Sequence, residues 1–379
     1  MPEVTYTGQD SFTPGTPHSA LASGSDEMRS LTGARIESTR KWRKALASAR
    51  RSATRAHVLC IGDSITQGYY GATPYHTHAW PHLVAGMFDA WVGASNDTGV
   101  IGATDIVSPP ASETRFTVGG TWGFSGSGYH GRGRMGTGSA TMLFSPSQTI
   151  DTFRVWYRKG TGGGTVTWSV DSGASTGSFS CSGATALAYV DVPCGSTGVH
   201  TLLLTSPAAT TYAFINGVEA MTGAAGGVKV SRIGYNGGKT TEAVAGGAAA
   251  DGSLACFAHT APDLTIIALG TNDYGGQTAV ATFQANLTSL VTNALTTGSC
   301  LLVAEPSQSA ALTIPQSDYV TATKAVGVAN GVPVLDFTDR WGTYTQANAA
   351  GFMQDGTHPN ATGSYDLASA VFAAIQRLS

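Results

Sequence analysis

A serine, a histidine and an aspartate stand in this chain where a nucleophile, its base and the base's orienting acid would be needed. Val58-Leu-Cys-Ile61 is a short apolar run that leads straight into Gly62-Asp63-Ser64. The glycine permits a tight exit from a strand. Ser64 would then sit at the C-terminal edge of a sheet and open the next helix, its own N–H pointing toward whatever its oxygen attacks. Near the other end, Asp355-Gly-Thr-His358-Pro359 sets a carboxylate three residues before an imidazole on a constrained turn. At that spacing Asp355 can accept from one ring nitrogen of His358, leaving the other free to take the proton of Ser64. Asn272, in Gly270-Thr-Asn-Asp273, carries a carboxamide, a neutral donor suited to a developing oxyanion. Gly237-Gly238, ahead of Lys239-Thr-Thr241, leaves a backbone N–H unobstructed.

Each of these pieces also has a structural reading. Ser64 and Asn272 are good helix caps, and Gly237-Gly238 is a good turn. Asp355 and His358 could be a surface pair. Taken together, in this order and each after a strand, they fit the needs of acyl transfer.

The intervening sequence supplies elements to hold them. Ahead of the Ser64 strand, Ser30 to Ala56 is helical and basic, with Arg35, Arg40, Lys41, Arg43, Lys44, Arg50, Arg51 and Arg55, and with Ile36, Trp42 and Leu46 on an apolar side. It is read as a solvated face covering a sheet edge. Ala79 to Trp91 reads as an amphipathic helix with Leu83, Met87 and Trp91 on one side. From about Ile101 to Gly226 the pattern changes to short β-prone runs between glycine-rich turns. They are Arg115–Val118, Ala140–Phe144, Thr152–Tyr157, Thr165–Val170, Leu187–Val192, His200–Thr205 and Tyr212–Ile215. Such spacing without helices predicts a β-sandwich of the jelly-roll kind.

At Val228 the alternation of apolar strands and helices resumes. Val228–Thr241 reads as strand, glycine turn and helix start, and further strands are expected at Asp263–Leu269, Cys300–Glu305 and Val332–Phe337. Helices are expected at Ala279–Leu295, Ser317–Asn330 and Tyr365–Arg377. Buried strands alternating with helices mean a parallel sheet covered on both faces. The expected organisation is therefore a polar arm and basic helix over 1–55, a discontinuous α/β unit over 56–100 and 228–379, and an inserted β unit over 101–227.

Bulk properties exclude several partners. Charged residues make up 12% of 379, and the net charge of −3 provides no field that would recruit nucleic acid or an anionic membrane. There is no run of about 18 apolar residues to span a bilayer. The first residues lack the basic start and apolar core of a secretory signal, so a protein acting outside its cell would leave by another route, in a virion or by lysis; otherwise it is cytoplasmic. None of Cys60, Cys181, Cys194, Cys256 and Cys300 forms a C-x-x-C pair. Cys60, Cys256 and Cys300 read as buried small hydrophobes, while Cys181 and Cys194 are close enough to cross-link neighbouring strands. His76, His78 and His82 lack a nearby acidic or cysteine cluster, so they are expected to border the site rather than hold a metal. Trp122, Trp156, Tyr157, Trp168, Tyr189 and Tyr212 are either core residues or a platform for sugar rings.

These motifs resemble the SGNH/GDSL hydrolase family of serine esterases and acylhydrolases, and the absence of G-x-S-x-G argues against an α/β-hydrolase. The resemblance rests on Gly62-Asp-Ser-Ile-Thr-Gln-Gly68, Gly238, Gly270-Thr-Asn-Asp273 and Asp355-x-x-His358-Pro359, over residues 56–100 and 228–379. It implies a flavodoxin-like three-layer α/β/α fold. It also implies Ser64 as nucleophile, His358 as base, Asp355 as its orienter, and an oxyanion hole of the Ser64 N–H, the Gly238 N–H and the Asn272 side chain. Gly237, adjacent to Gly238, competes for that role, and Lys239 stands where family members often carry a small or acidic residue. Such chemistry needs neither metal nor cofactor.

The insert is similar to carbohydrate-binding modules found within some polysaccharide and peptidoglycan O-acetylesterases. The expected activity is removal of O-acetyl groups from a cell-envelope or capsular polysaccharide, with Trp156, Trp168 and His78 as substrate-binding candidates. The alternatives are a lipolytic or broad-specificity carboxylesterase with the insert as lid or cap, and a non-catalytic carbohydrate-binding adhesion protein. The N-terminal arm resembles those of phage tail-associated proteins, which implies assembly into a virion or a homo-oligomer.

Overall fold

The computed structural model describes residues 31–32, 36–69, 75–106, 113–124, 133–208, 210–223, 226–244 and 253–379. The expectations for the N-terminal arm, residues 1–30, and for the His76 side chain fall outside them.

In chain order the strands are β1 (Leu31–Thr32), β2 (Ala56–Gly62), β3 (Ile101–Gly102), β4 (Phe116–Phe124), β5 (Arg134–Phe144), β6 (Ile150–Lys159), β7 (Thr165–Val170), β8 (Ser175–Ser180), β9 (Ala186–Gly198), β10 (Leu202–Thr205), β11 (Ala213–Met221), β12 (Val228–Gly234), β13 (Leu264–Ala268), β14 (Ser299–Ala304) and β15 (Val334–Asp336). Every residue of β2, β13 and β14 is buried, which is why these strands read as continuous apolar runs instead of alternating. They form a parallel ladder in the order β15-β14-β13-β2-β12-β3, with Ile61 of β2 opposite Ile267 on one side and Ile233 on the other. β1 closes the far edge antiparallel to β15. Because the chain leaves β2 toward β12 on one side and later returns to β13 on the other, the C-terminal end of β2 lies at a switch point, where an α/β sheet opens a crevice.

Helices cover both faces. On one lie Ile36–Arg50, Trp80–Val92 and Ala361–Arg377, which bury Trp42, Leu46, Phe88, Leu367 and Val371. On the other lie Ser253–Thr260, Val280–Thr297 and Gln316–Asn330, which bury Phe257, Phe283, Leu287 and Val326. This is the three-layer arrangement expected of the fold. The basic helix is anchored through one of its exposed cations. Lys41 Nζ donates to the carbonyls of Leu295 and Thr296 at 2.8 and 3.0 Å, at the end of helix Val280–Thr297, where carbonyls lack partners and the dipole favours a cation. The helix Trp80–Val92 is rotated from the expected phase. Trp80, Val84 and Phe88 face the core, and Leu83, Met87 and Trp91 are only partly buried. So apolar a segment leaves its phase undetermined, and the Trp80 indole N–H settles it by donating to Thr66 Oγ1 at 3.3 Å.

From β4 to β11 the strands pair antiparallel, in a ladder β4-β5-β10-β7-β8 and a second path β9-β6-β11. These strands enclose their own core of Phe144, Phe153, Val155, Val166, Leu202 and Ile215. Pairing does not stop at the expected boundary: Ile101 of β3 lies parallel to Arg232 of β12 and antiparallel to Val218 of β11. The two-residue β3 therefore joins both regions into one hydrogen-bonded sheet. All five cysteines are free and buried, so Cys181 and Cys194 do not cross-link; Cys181 Sγ instead accepts from Phe214 N at 3.4 Å.

Candidate active site

β2 ends at Gly62, where a side chain would not fit: a Cβ would stand 1.9 Å from Thr66 Oγ1 and 2.6 Å from the Ala268 carbonyl. The chain then turns through Asp63, whose Oδ1 accepts from the Ile65 N–H at 2.8 Å and caps the single turn Ser64–Gln67. The cap is thus Asp63, and Ser64 is the first helical residue. Its side chain is 1% exposed.

The distant histidine reaches it. Ser64 Oγ lies 3.0 Å from His358 Nε2, and His358 Nδ1 lies 2.9 and 3.2 Å from the two carboxylate oxygens of Asp355. An ionised carboxylate only accepts, so Nδ1 carries the ring proton and Nε2 presents a lone pair to the serine hydroxyl. Asp355 also accepts from the backbone N–H groups of Thr357 and His358, both at 2.7 Å, which locks the turn. Burial draws the Asp355 carboxyl upward, but those N–H groups and the imidazole outweigh it and hold it below its ordinary value. It stays charged, and the 42% of its side chain open to water favours the same state. The loop is tied down further by Gln354 N to His358 O at 2.8 Å and Asn360 N to Phe352 O at 2.9 Å. Tyr69 packs edge-on against the imidazole at 5.5 Å between ring centroids, a contact that nothing in the sequence signalled.

Of the three expected oxyanion donors, one is unengaged and two already have acceptors. The Ser64 N–H makes no hydrogen bond among the described residues. The Asn272 amide nitrogen donates to Asp63 Oδ2 at 2.9 Å and to the Gly238 carbonyl at 3.2 Å, which brings it to the Asp63-Ser64 turn. The expectation for Gly238 needs correction. Its N–H donates to the Tyr235 carbonyl at 2.8 Å and closes the turn, so its carbonyl, not its N–H, faces Asn272. Gly237, at φ +80°, has no such bond. Lys239 bends away, its ammonium beside Gly276 and its N–H on Glu242 at 2.9 Å.

The aromatic candidates are also redistributed. Trp156 is 3% exposed, sealed between β6 and the helix Ser253–Thr260 with Leu187 and His259 against it, so no sugar can stack on it. Alternation along β6 could not reveal this, because both faces of that strand are covered. Trp168 is half-buried, its ring laid over Gly177 and packed on the β core. His78 is half-buried and bonds its neighbour Thr77 at 3.0 Å. Among the described residues no group of three His, Cys, Asp or Glu side chains could hold a metal ion, and no helix is long and apolar enough to cross a membrane.

Residues 206–364 match the family model of GDSL-like lipase/acylhydrolases, a match that begins well after Ser64. No curated protein matches the chain. Among solved structures, a peptidoglycan O-acetylesterase is similar at a TM-score of 0.70 and 18% identity, over 92% of this chain and 98% of that one. The likeness of fold therefore extends through the antiparallel strands. More distant are a carbohydrate esterase family 2 enzyme plus carbohydrate binding domain from Corynascus thermopiles (TM-score 0.32, 14% identity, 69% and 99% covered) and an acetylxylan esterase catalytic mutant from Geobacillus stearothermophilus (0.31, 18%, 39% and 73%). Those two superpose too loosely to add weight. The fold, the match over 206–364 and the Gly62-Asp-Ser64 motif ahead of it agree: this part of the chain is similar to the GDSL-like lipase/acylhydrolases, and the protein is a carboxylic ester hydrolase.

Proposed function

We propose that the chain removes O-acetyl groups from a cell-envelope or capsular polysaccharide, with Ser64 as nucleophile, His358 as base and Asp355 as its orienter. The observation that carries the reading is the unbroken line from Ser64 Oγ through the His358 ring to Asp355, at 3.0 and 2.9 Å. Ser64 Oγ attacks the ester carbonyl while His358 Nε2 takes its proton, and Asp355 stabilises the imidazolium. The tetrahedral oxyanion is held by the Ser64 N–H and the Asn272 amide, which must exchange one of its present partners for it. The imidazolium then protonates the departing sugar oxygen, and water repeats the cycle on the acetyl-enzyme. In this reading residues 101–227 border the cleft and hold the polymer. The similarity to a peptidoglycan O-acetylesterase along nearly the whole chain supports the choice of a carbohydrate ester over a lipid one.

Acetate release from a panel of O-acetylated polysaccharides tests the substrate class. At least one polymer is expected to lose acetate faster than p-nitrophenyl butyrate is cleaved, and acetate should be the preferred acyl group among p-nitrophenyl esters. A preference for long acyl chains with no polymer deacetylated would replace this reading with the lipolytic one. Asn272→Ala should lower kcat by about 10²–10³-fold with KM little changed, as for loss of one preorganised oxyanion donor. A variant within about threefold of the parent would remove Asn272 from the oxyanion hole.

A further inference from the structure

Beneath the nucleophile turn lie two carboxyl groups for which the mechanism has no use. Asp63 follows β2 and Glu305 follows β14, the strands on either side of β13, so the two meet beside the Gly270–Asp273 turn that ends β13. Their exposures are 0% and 4%. Asp63 accepts from Ile65 N at 2.8 Å and from the Asn272 amide at 2.9 Å, while Glu305 Oε2 accepts from Thr271 N at 2.9 Å. Glu305 Oε1 receives no N–H or hydroxyl, and the Glu305 carboxyl lies within hydrogen-bonding reach of Asp63.

Nothing positive compensates them: among the described residues neither carboxyl has an ion-pair partner. The other groups facing them are Asp273, also acidic and occupied by Thr240 N and Oγ1 at 2.9 and 2.8 Å, and from the helix Gln316–Asn330 the uncharged Tyr319. Two buried carboxylates in contact without a cation cannot both ionise. A carboxylic acid O–H between them removes one charge and satisfies the remaining oxygen.

We propose that Asp63 and Glu305 share one proton and form a positioning dyad that holds the Asn272 amide and the nucleophile turn in register. The inference rests on the acyl-transfer reading above for its catalytic consequence, not for its chemistry. The proton lies between the Asp63 carboxyl, which takes two N–H donors, and the Glu305 oxygen that takes none. Burial, and then the charge of Glu305, raises Asp63 well above the usual carboxylate range; burial raises Glu305 to about 7. Singly charged, the dyad anchors Asn272 by a charge-assisted bond. As pH rises through the loss of the shared proton, a second negative charge appears under the developing oxyanion, so turnover falls on the alkaline side.

The test compares the full chain with Glu305→Gln, Glu305→Ala and Asp63→Asn on p-nitrophenyl acetate across pH, with infrared spectra of each protein at neutral pH. The carboxamide introduced by Glu305→Gln can donate to Asp63 and accept from the Thr271 N–H, so this variant should keep kcat within about threefold and lose the alkaline fall. Glu305→Ala and Asp63→Asn should each lose about tenfold or more in kcat with little change in KM. The parent should show a protonated carboxyl band that both Glu305→Gln and Asp63→Asn remove. A folded Glu305→Gln as impaired as Glu305→Ala, or retaining the parent's alkaline fall, overturns the dyad's role. A parent without the protonated carboxyl band overturns the dyad itself, whatever the enzyme's substrate proves to be.

Discussion

Replacing Ser64 with alanine is expected to lower ester hydrolysis by about 10⁴-fold or more while leaving the protein folded. The Ser64 hydroxyl has one side-chain partner, His358 Nε2 at 3.0 Å, and its removal leaves the backbone turn intact, because that turn is capped by Asp63. Without Oγ no acyl-enzyme can form, and what remains is the weak rate of water oriented by His358 and the oxyanion donors. Initial rates on p-nitrophenyl acetate and a thermal melt check the two halves of the statement. Retention of even a tenth of the parent rate in a folded variant would remove the nucleophile and every role assigned around it. His358→Ala should fall to the same level, since residues acting as one unit are not additive.

The largest effect on stability is expected at Asp366. Its carboxylate takes two parallel bonds from Arg340 Nε and Nη2, both at 2.8 Å, and a third from the Trp341 indole N–H at 2.7 Å. Both charged side chains are essentially inaccessible to water, at 2% and 1%. Asp366→Ala leaves the guanidinium buried without its counter-charge, a loss of about 3–5 kcal/mol. With about 2 cal/mol/K of unfolding entropy per residue, a chain of this length melting as one unit should lose ~4–6 °C. Arg340→Met combined with Asp366→Leu should recover at least half of that, because no unpaired charge remains. A melt of Asp366→Ala within 1 °C of the parent would mean that the Arg340 charge finds another outlet. The pair also serves the site. It ties the helix Ala361–Arg377, which starts straight after His358-Pro359-Asn360, to the helix Phe337–Trp341. Loss of kcat beyond loss of folded protein is therefore expected in Asp366→Ala.

Much of the site could be read from the chain because its members announce themselves locally. Asp355 and His358 are bonded to each other three residues apart, and the glycine before Asp63-Ser64 is demanded by the approach of Thr66 and Ala268. The features that escaped the reading depend on the torsion angles of a single turn or on groups far apart in sequence. Whether the Gly238 N–H is free is decided by the carbonyl of Tyr235, a matter of one turn's torsion angles. Trp156 looked like any alternate strand aromatic until the helix Ser253–Thr260 covered it. β3 is two residues long, too short for any periodicity, yet it joins the parallel ladder to the antiparallel one.

The sequence by itself determined the reaction class, since serine, imidazole, carboxylate and carboxamide are groups with specific chemistry when set at the ends of apolar strands. It determined the layered α/β fold as well, because fully buried strands and amphipathic helices differ in period. Only the tertiary structure decided which of those groups touch, that Asn272 hangs from Asp63, and that Glu305 stands beside Asp63 with no cation between them. The physical reason is range. Propensity and hydrophobic period act over a few residues and survive in any local reading. A hydrogen bond or a shared proton depends on a few tenths of an ångström between segments that meet only once the core has closed.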